Sequence, residues 1–231
     1  MSLTRLALRL AAPLPRLEAF ERYLFVGPQP DDIEIGAGAT VSRLAAAGKH
    51  IVFLICTDGR FGTDFAQVSG EALAQLRRQE ALRSAAMLGV SDVRFLSLSD
   101  GGFYEPQALL RGIAQAVGSV QPEVLFAPDP CVRSECHADH LNVGQAVRLA
   151  ACFAANPGVM AAYGAPSANV KALAFYMTAR PNRFIATRGH LKRQLQAIFS
   201  CHLSQFPPHG DAARSVALYL KLRSIDLGLR S

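Results

Sequence analysis

Tryptophan is absent, no run of basic residues reaches five, and no uninterrupted apolar stretch approaches the roughly 20 residues that a membrane-spanning helix needs. No membrane span is expected, and none of the familiar nucleic-acid signatures occurs. The net charge of +6, from 24 basic and 18 acidic residues dispersed along the chain, fits an acidic small molecule better than a nucleic acid. A disulfide framework is lacking too. The cysteines, Cys56, Cys131, Cys136, Cys152 and Cys201, are scattered and odd in number, which suits free thiols in a reducing, cytoplasmic compartment. The Gly-X-Ser-X-Gly elbow of serine hydrolases is missing, and no cysteine has surroundings that single it out as a nucleophile. The run "IGAGAT" lacks the third glycine of a dinucleotide loop and follows a prolyl-acidic segment that repels pyrophosphate.

Repeats and low-complexity linkers are also absent, so the 231 residues are taken as one domain, 1–231. Arg9 interrupts the apolar opening "MSLTRLALRLAAPLPRL", and no cleaved leader is expected there. A half-hydrophobic composition is compatible with a homo-oligomer.

What is present is a rhythm. Short apolar runs alternate with longer amphipathic ones: "YLFVG" then "TVSRLAAAG", "HIVFLICT" then "EALAQLRRQEALRSAAMLG", "VRFLSL" then "ALLRGIAQAVGSV", "EVLFAP" then "NVGQAVRLAACFAA". This βαβα order predicts a Rossmann-like, three-layer α/β fold with a mostly parallel sheet. "ALAFYMT" and "RFIAT" are further expected strands, followed by a helix over "HLKRQLQAIFSCHLSQF" and a last helix from about Asp211. Gly48 and Gly89 stand where helix C-caps belong. In such sheets ligands bind beyond the carboxyl ends of the strands. The loops there read "GPQPDD", "TDGRFG", "SDGG" and "PDPCVRSECHADH".

Two clusters in these loops carry chemistry. The prolines of "PQPDD" stiffen the chain around Gln29, Asp31 and Asp32. One carboxylate can ligate a cation while the other holds the water that the cation activates. The plainer alternative is an acidic pair capping the helix that follows. "HADH" adds His137, Asp139 and His140 at a strand-to-helix junction, where imidazole ligates metal and a carboxylate orients a ring. Two histidines with an aspartate, opposite paired carboxylates, favour a site over a cap.

These residues resemble the PIG-L/LmbE family of zinc-dependent N-deacetylases. The family pattern His-Pro-Asp-Asp-x-Glu-x-Gly is matched by "QPDDIEIG" except at its first residue, and His-x-Asp-His is matched in full by "HADH". "TDGRFG", "RRQEALRSAAMLGV", "LSLSDGG" and "LKRQLQAIFSCHLSQF" follow in family order, so the resemblance spans about residues 21–206. It implies a hydrolase that removes an N-acyl group, usually acetyl, from an amino sugar or glycoconjugate. Asp31 is then the general base, and Asp32 and His140 are ligands of zinc or another divalent cation. His137 steadies the oxyanion or protonates the leaving amine, oriented by Asp139. Arg77 grips substrate and Asp100 contacts a sugar hydroxyl. Gln29 occupies the place of the third ligand, a histidine in the family, and leaves three outcomes open: a weakened zinc site, a site completed by another residue such as His202 or His209, or none. The competing readings are a metal-free, non-catalytic sugar-binding or regulatory relic and, on fold alone, a nucleotide-binding protein.

Overall fold

A computed structural model describes residues 3–62, 68–207 and 211–228, and His209 lies outside them. Five strands form one all-parallel sheet: β1 (Arg22–Gly27), β2 (His50–Thr57), β3 (Asp92–Leu98), β4 (Val124–Pro128) and β5 (Ala172–Tyr176), in the order β3-β2-β1-β4-β5. The helices are α1 (Leu3–Ala11), α2 (Asp32–Ala46), α3 (Glu71–Leu88), α4 (Pro106–Val120), α5 (Ala138–Phe153), α6 (Pro157–Ala162), α7 (Leu191–Cys201) and α8 (Asp211–Gly228).

Successive residues of the strands face opposite layers. Leu24, Val26, Val52, Leu54, Leu125 and Ala127 meet α4 and α5 on one face. Tyr23, Phe25, Ile51, Phe53, Val124 and Phe126 meet α2, α3 and α7 on the other. Both faces are covered, which is why the strands read as continuous apolar runs. Phe25 stacks on Phe126 with centroids 4.3 Å apart, welding β1 to β4 at the centre of the sheet.

The strand order reverses between β1 and β4, so the loops leaving them diverge and open a crevice, the usual ligand place in such sheets. The glycines of "IGAGAT" serve packing. A Cβ on Gly36 would lie 2.3 Å from the Tyr176 ring, and one on Gly38 would lie 2.9 Å from Gln194. Tyr176 can therefore cross α2 and donate its hydroxyl to the Val26 carbonyl at 2.8 Å. Gly89 ends α3 in the left-handed conformation, φ 91°, as a C-cap requires.

One expected strand is corrected: "RFIAT" (183–187) does not join the sheet. Met177, at φ 54°, turns the chain away after β5. The segment is instead tied by side chains, with Arg183 donating to the Leu14 and Pro15 carbonyls and Arg43 to that of Ala186. It covers a cavity of about 790 Å³ along β5 whose walls include none of Asp31, Asp32, His137, Asp139 and His140. Among the described residues no helix is long and apolar enough to cross a membrane.

Candidate active site at the sheet crevice

Asp31 ends the β1 loop at φ 129°, a conformation that costs a non-glycine residue strain and that persists where the surroundings enforce it. It precedes α2 yet makes no side-chain cap, and Asp32 Oδ2 accepts instead from the Gln29 backbone N–H at 2.9 Å. The acidic pair is therefore not a helix cap. Buried Arg77, 1% exposed, holds Asp31 through Nη2 at 3.2 Å while also donating to the Pro30 and Gly59 carbonyls. Burial pushes the Asp31 carboxyl up to about 7, against the lowering pull of Arg77 and with added repulsion from Asp32.

From the first turn of α5, just past the β4 loop, His140 points Nε2 at Asp32 Oδ1, 3.3 Å away, and Nδ1 at Glu135 Oε2, 3.0 Å away. Burial opposes its charge, but the two carboxylates outweigh burial and raise it to about 9. His137 stacks beside it with ring centroids 4.8 Å apart, and its Nδ1 accepts the Asp139 amide at 3.3 Å. Asp139, fully buried, accepts from Gly101 N at 2.8 Å, Gly102 N at 2.9 Å and Gln29 Nε2 at 3.3 Å. Gln29 Nε2 also lies 3.4 Å from His137 Nε2.

Asp31, Asp32, Gln29, His137, Asp139 and His140 thus meet in one crevice. The two residues expected to touch substrate are both buried. Arg77 donates through its Nη atoms to Asp31 and to the Gly59 and Pro30 carbonyls, with Nε left without a partner. Asp100, 2% exposed, accepts the Phe61 amide and fixes the loop after β2. Neither burial follows from spacing, because a helical arginine and a loop aspartate ordinarily face water.

Glu135 was not anticipated; its signal was a carboxylate in the same loop five residues before His140, able to orient the ring's far nitrogen as ligand histidines require. His202 was expected only as a spare ligand or packing histidine. It is fully buried and paired with Glu34 at 3.4 Å.

Among the described residues no three His, Cys, Asp or Glu side chains gather into a cation cage. The donors that do fit a divalent cation are the facing Asp32 oxygen and His140 nitrogen, with Glu135 orienting the imidazole from behind. Gln29 gives its NH2 to Asp139, and its side-chain oxygen is a neutral donor.

A Rossmann-like α/β sheet with an Asp-Asp loop facing a His-x-Asp-His loop across its switch point defines a hydrolase-type crevice. Residues 24–151 match the GlcNAc-PI de-N-acetylase (PIG-L) family, and the chain belongs to it. It is 33% identical over 190 residues to diacetylchitobiose deacetylase of Thermococcus kodakarensis, covering 81% of this chain and 71% of that protein. It is 34% identical over 185 residues to the 1D-myo-inositol 2-acetamido-2-deoxy-alpha-D-glucopyranoside deacetylase of Kineococcus radiotolerans, covering 67% of this chain and only 51% of that protein. The solved N,N'-diacetylchitobiose deacetylase of Pyrococcus horikoshii superposes with a TM-score of 0.88 at 27% identity, covering 100% of this chain and 89% of that one.

Proposed function

We propose that the protein, taken as one domain over 1–231, is a metal-dependent N-deacetylase acting on an N-acetylated amino sugar or its glycoconjugate. The observation that carries this reading is the approach of Asp32 to His140, 3.3 Å, with Asp31 alongside: two loops from neighbouring strands bring a ligand pair and a base to one point. Relatives that are deacetylases of acetylated amino sugars support the substrate class. Five free thiols support a cytoplasmic home.

Asp32 and His140 would hold the cation, zinc or another divalent ion, with the Gln29 carbonyl as neutral donor. When bound, such an ion polarises an amide carbonyl and acidifies water. Asp31, raised to about 7, takes the proton of the attacking water; a base poised near working pH is the efficient one. Arg77 keeps that carboxylate aimed at the crevice. His137, with Nδ1 accepting the Asp139 amide, presents its Nε2–H to the oxyanion, and the proton that Asp31 took from the water passes to the departing amine. Water and amide become carboxylate and amine.

The test is to incubate the purified protein with N-acetylglucosamine and N,N'-diacetylchitobiose, with zinc, cobalt, nickel or manganese added in turn, and to measure free amine and bound metal. Metal uptake with amine release is expected. Neither would leave the metal-free sugar-binding reading.

A further inference from the structure

Two phenylalanines stand in water beside the crevice. Phe61, on the loop after β2, is 61% exposed, and Phe103, on the loop after β3, is 73% exposed, whereas the core rings of Phe25 and Phe53 are wholly buried. They come from different loops yet meet edge to face, centroids 5.8 Å apart at 75°. Their backbones are held: the Phe61 amide by the Asp100 carboxylate at 3.2 and 3.3 Å, and the turn before Phe103 by Asp139, which binds the Gly101 and Gly102 amides. Both rings lie over Gly101, whose φ of 76° suits glycine and where a Cβ would meet Phe103 at 3.2 Å and Phe61 at 4.0 Å. The Gly102 position lies 3.6 Å from the Ala138 side chain, between His137 and Asp139 in the chain. The turn that carries Phe103 thus packs against the start of the helix that bears Asp139 and His140.

We infer that Phe61 and Phe103 form a stacking platform for a second pyranose ring, next to the one carrying the N-acetyl group. The inference rests on the deacetylase reading above. A pyranose has a face of C–H groups and a rim of hydroxyls. The C–H face is attracted to the negative face of an aromatic ring and covers its apolar surface, while the hydroxyls stay in water. A rigid, uncharged aromatic pair left exposed at the lip of a polar crevice matches that ligand. The platform selects sugars of two or more rings and leaves the reacting amide to the crevice.

The test compares wild type with Phe61→Ala, Phe103→Ala, the double variant and Phe103→Trp. For N,N'-diacetylchitobiose the double variant should lose tenfold or more in kcat/KM, through KM with kcat within twofold. Activity on N-acetylglucosamine should change less than twofold, and Phe103→Trp should keep the disaccharide preference. Equal losses on both sugars, or none, overturn the proposal. So does a double variant whose oligomeric state shifts in sedimentation while disaccharide affinity holds, since the rings are then a subunit contact. A second readout separates this from failure of the deacetylase reading: in protein labelled at phenylalanine, titration with the deacetylated product chitobiose should shift the Phe61 and Phe103 ring signals. Those shifts support the platform even if wild type hydrolyses neither sugar, and their absence overturns it.

Discussion

On the proposed mechanism Gln29 sets how strongly the crevice holds its cation. Its amide offers a neutral oxygen where an imidazole would be a far better donor to zinc, and its NH2 is engaged by Asp139 at 3.3 Å. Gln29→His should therefore raise zinc affinity tenfold or more by isothermal titration calorimetry, at the cost of that one hydrogen bond. Unchanged or weaker binding would place the third donor elsewhere. The proposed mechanism gives the neighbours Asp31 and Asp32 separate tasks, and the same amide substitution distinguishes them. Asp31→Asn keeps an oxygen for Arg77 Nη2 but cannot take a proton, so metal uptake should persist while turnover falls by about 10²–10⁴-fold. Asp32→Asn removes a charged donor 3.3 Å from His140 and should cost metal first. Matching losses of metal in both variants would contradict the division.

The first turn of α2 is braced from behind by the C-terminus of α7. Glu34 accepts from Ser84 Oγ on α3 and faces His202 Nε2 at 3.4 Å, both side chains within 1% of full burial. Burial works against a charge on His202, yet the hydrogen bond and charge of Glu34 prevail and raise its pKa above the ordinary 6.5. A histidine whose folded pKa is raised contributes stability that is complete below its unfolded pKa and is lost as pH rises through the folded one. His202→Gln should therefore cost about 3 kcal/mol near pH 6, the order expected for a buried ion pair that loses one member. The difference from wild type should shrink in urea unfolding as pH rises through the raised folded pKa, and a gap widening with pH would contradict the pairing. None of this was legible in the sequence, where His202 lies 168 residues from Glu34. The elements themselves were legible, because β1 to β4 and their helices follow apolar runs that local periodicity exposes. "RFIAT" was misjudged for the same reason: its composition suits a strand, but bonds from Arg43 and Arg183 hold it off the sheet. The meeting of the paired motifs was legible, since both stand at the carboxyl ends of strands that one parallel sheet brings side by side. The burial of Arg77 and Asp100 was not, because it depends on which loops fold over them.

Across the whole molecule the strand-end loops are closed into a ring of hydrogen bonds. The β1 loop offers the Pro28 carbonyl to Thr57 N and Oγ1 of β2, each at 2.8 Å. The β2 loop gives the Phe61 amide to Asp100 after β3. The Gly101 and Gly102 amides then bind Asp139 of α5, which follows β4, and Asp139 returns to the β1 loop through Gln29. Asp139 joins three of these loops from a position with no exposure at all, so its carboxylate is as much a structural tie as a neighbour of His137. Asparagine there keeps the shape but has a single acceptor oxygen, and its NH2 must face at least one of the two glycine amides. One buried donor is left unsatisfied, a cost of about 1–3 kcal/mol. Asp139→Asn should lower stability by that amount in urea unfolding and speed amide exchange at Gly101 and Gly102, while exchange in the core of β1 and β2, closed by the sheet itself, stays at the global rate. Activity should fall along with the local protection, because the loop that carries His137 is then released on one side. Full activity with those two amides exchanging fast would show that the ring supports the fold and that the chemistry does not depend on it.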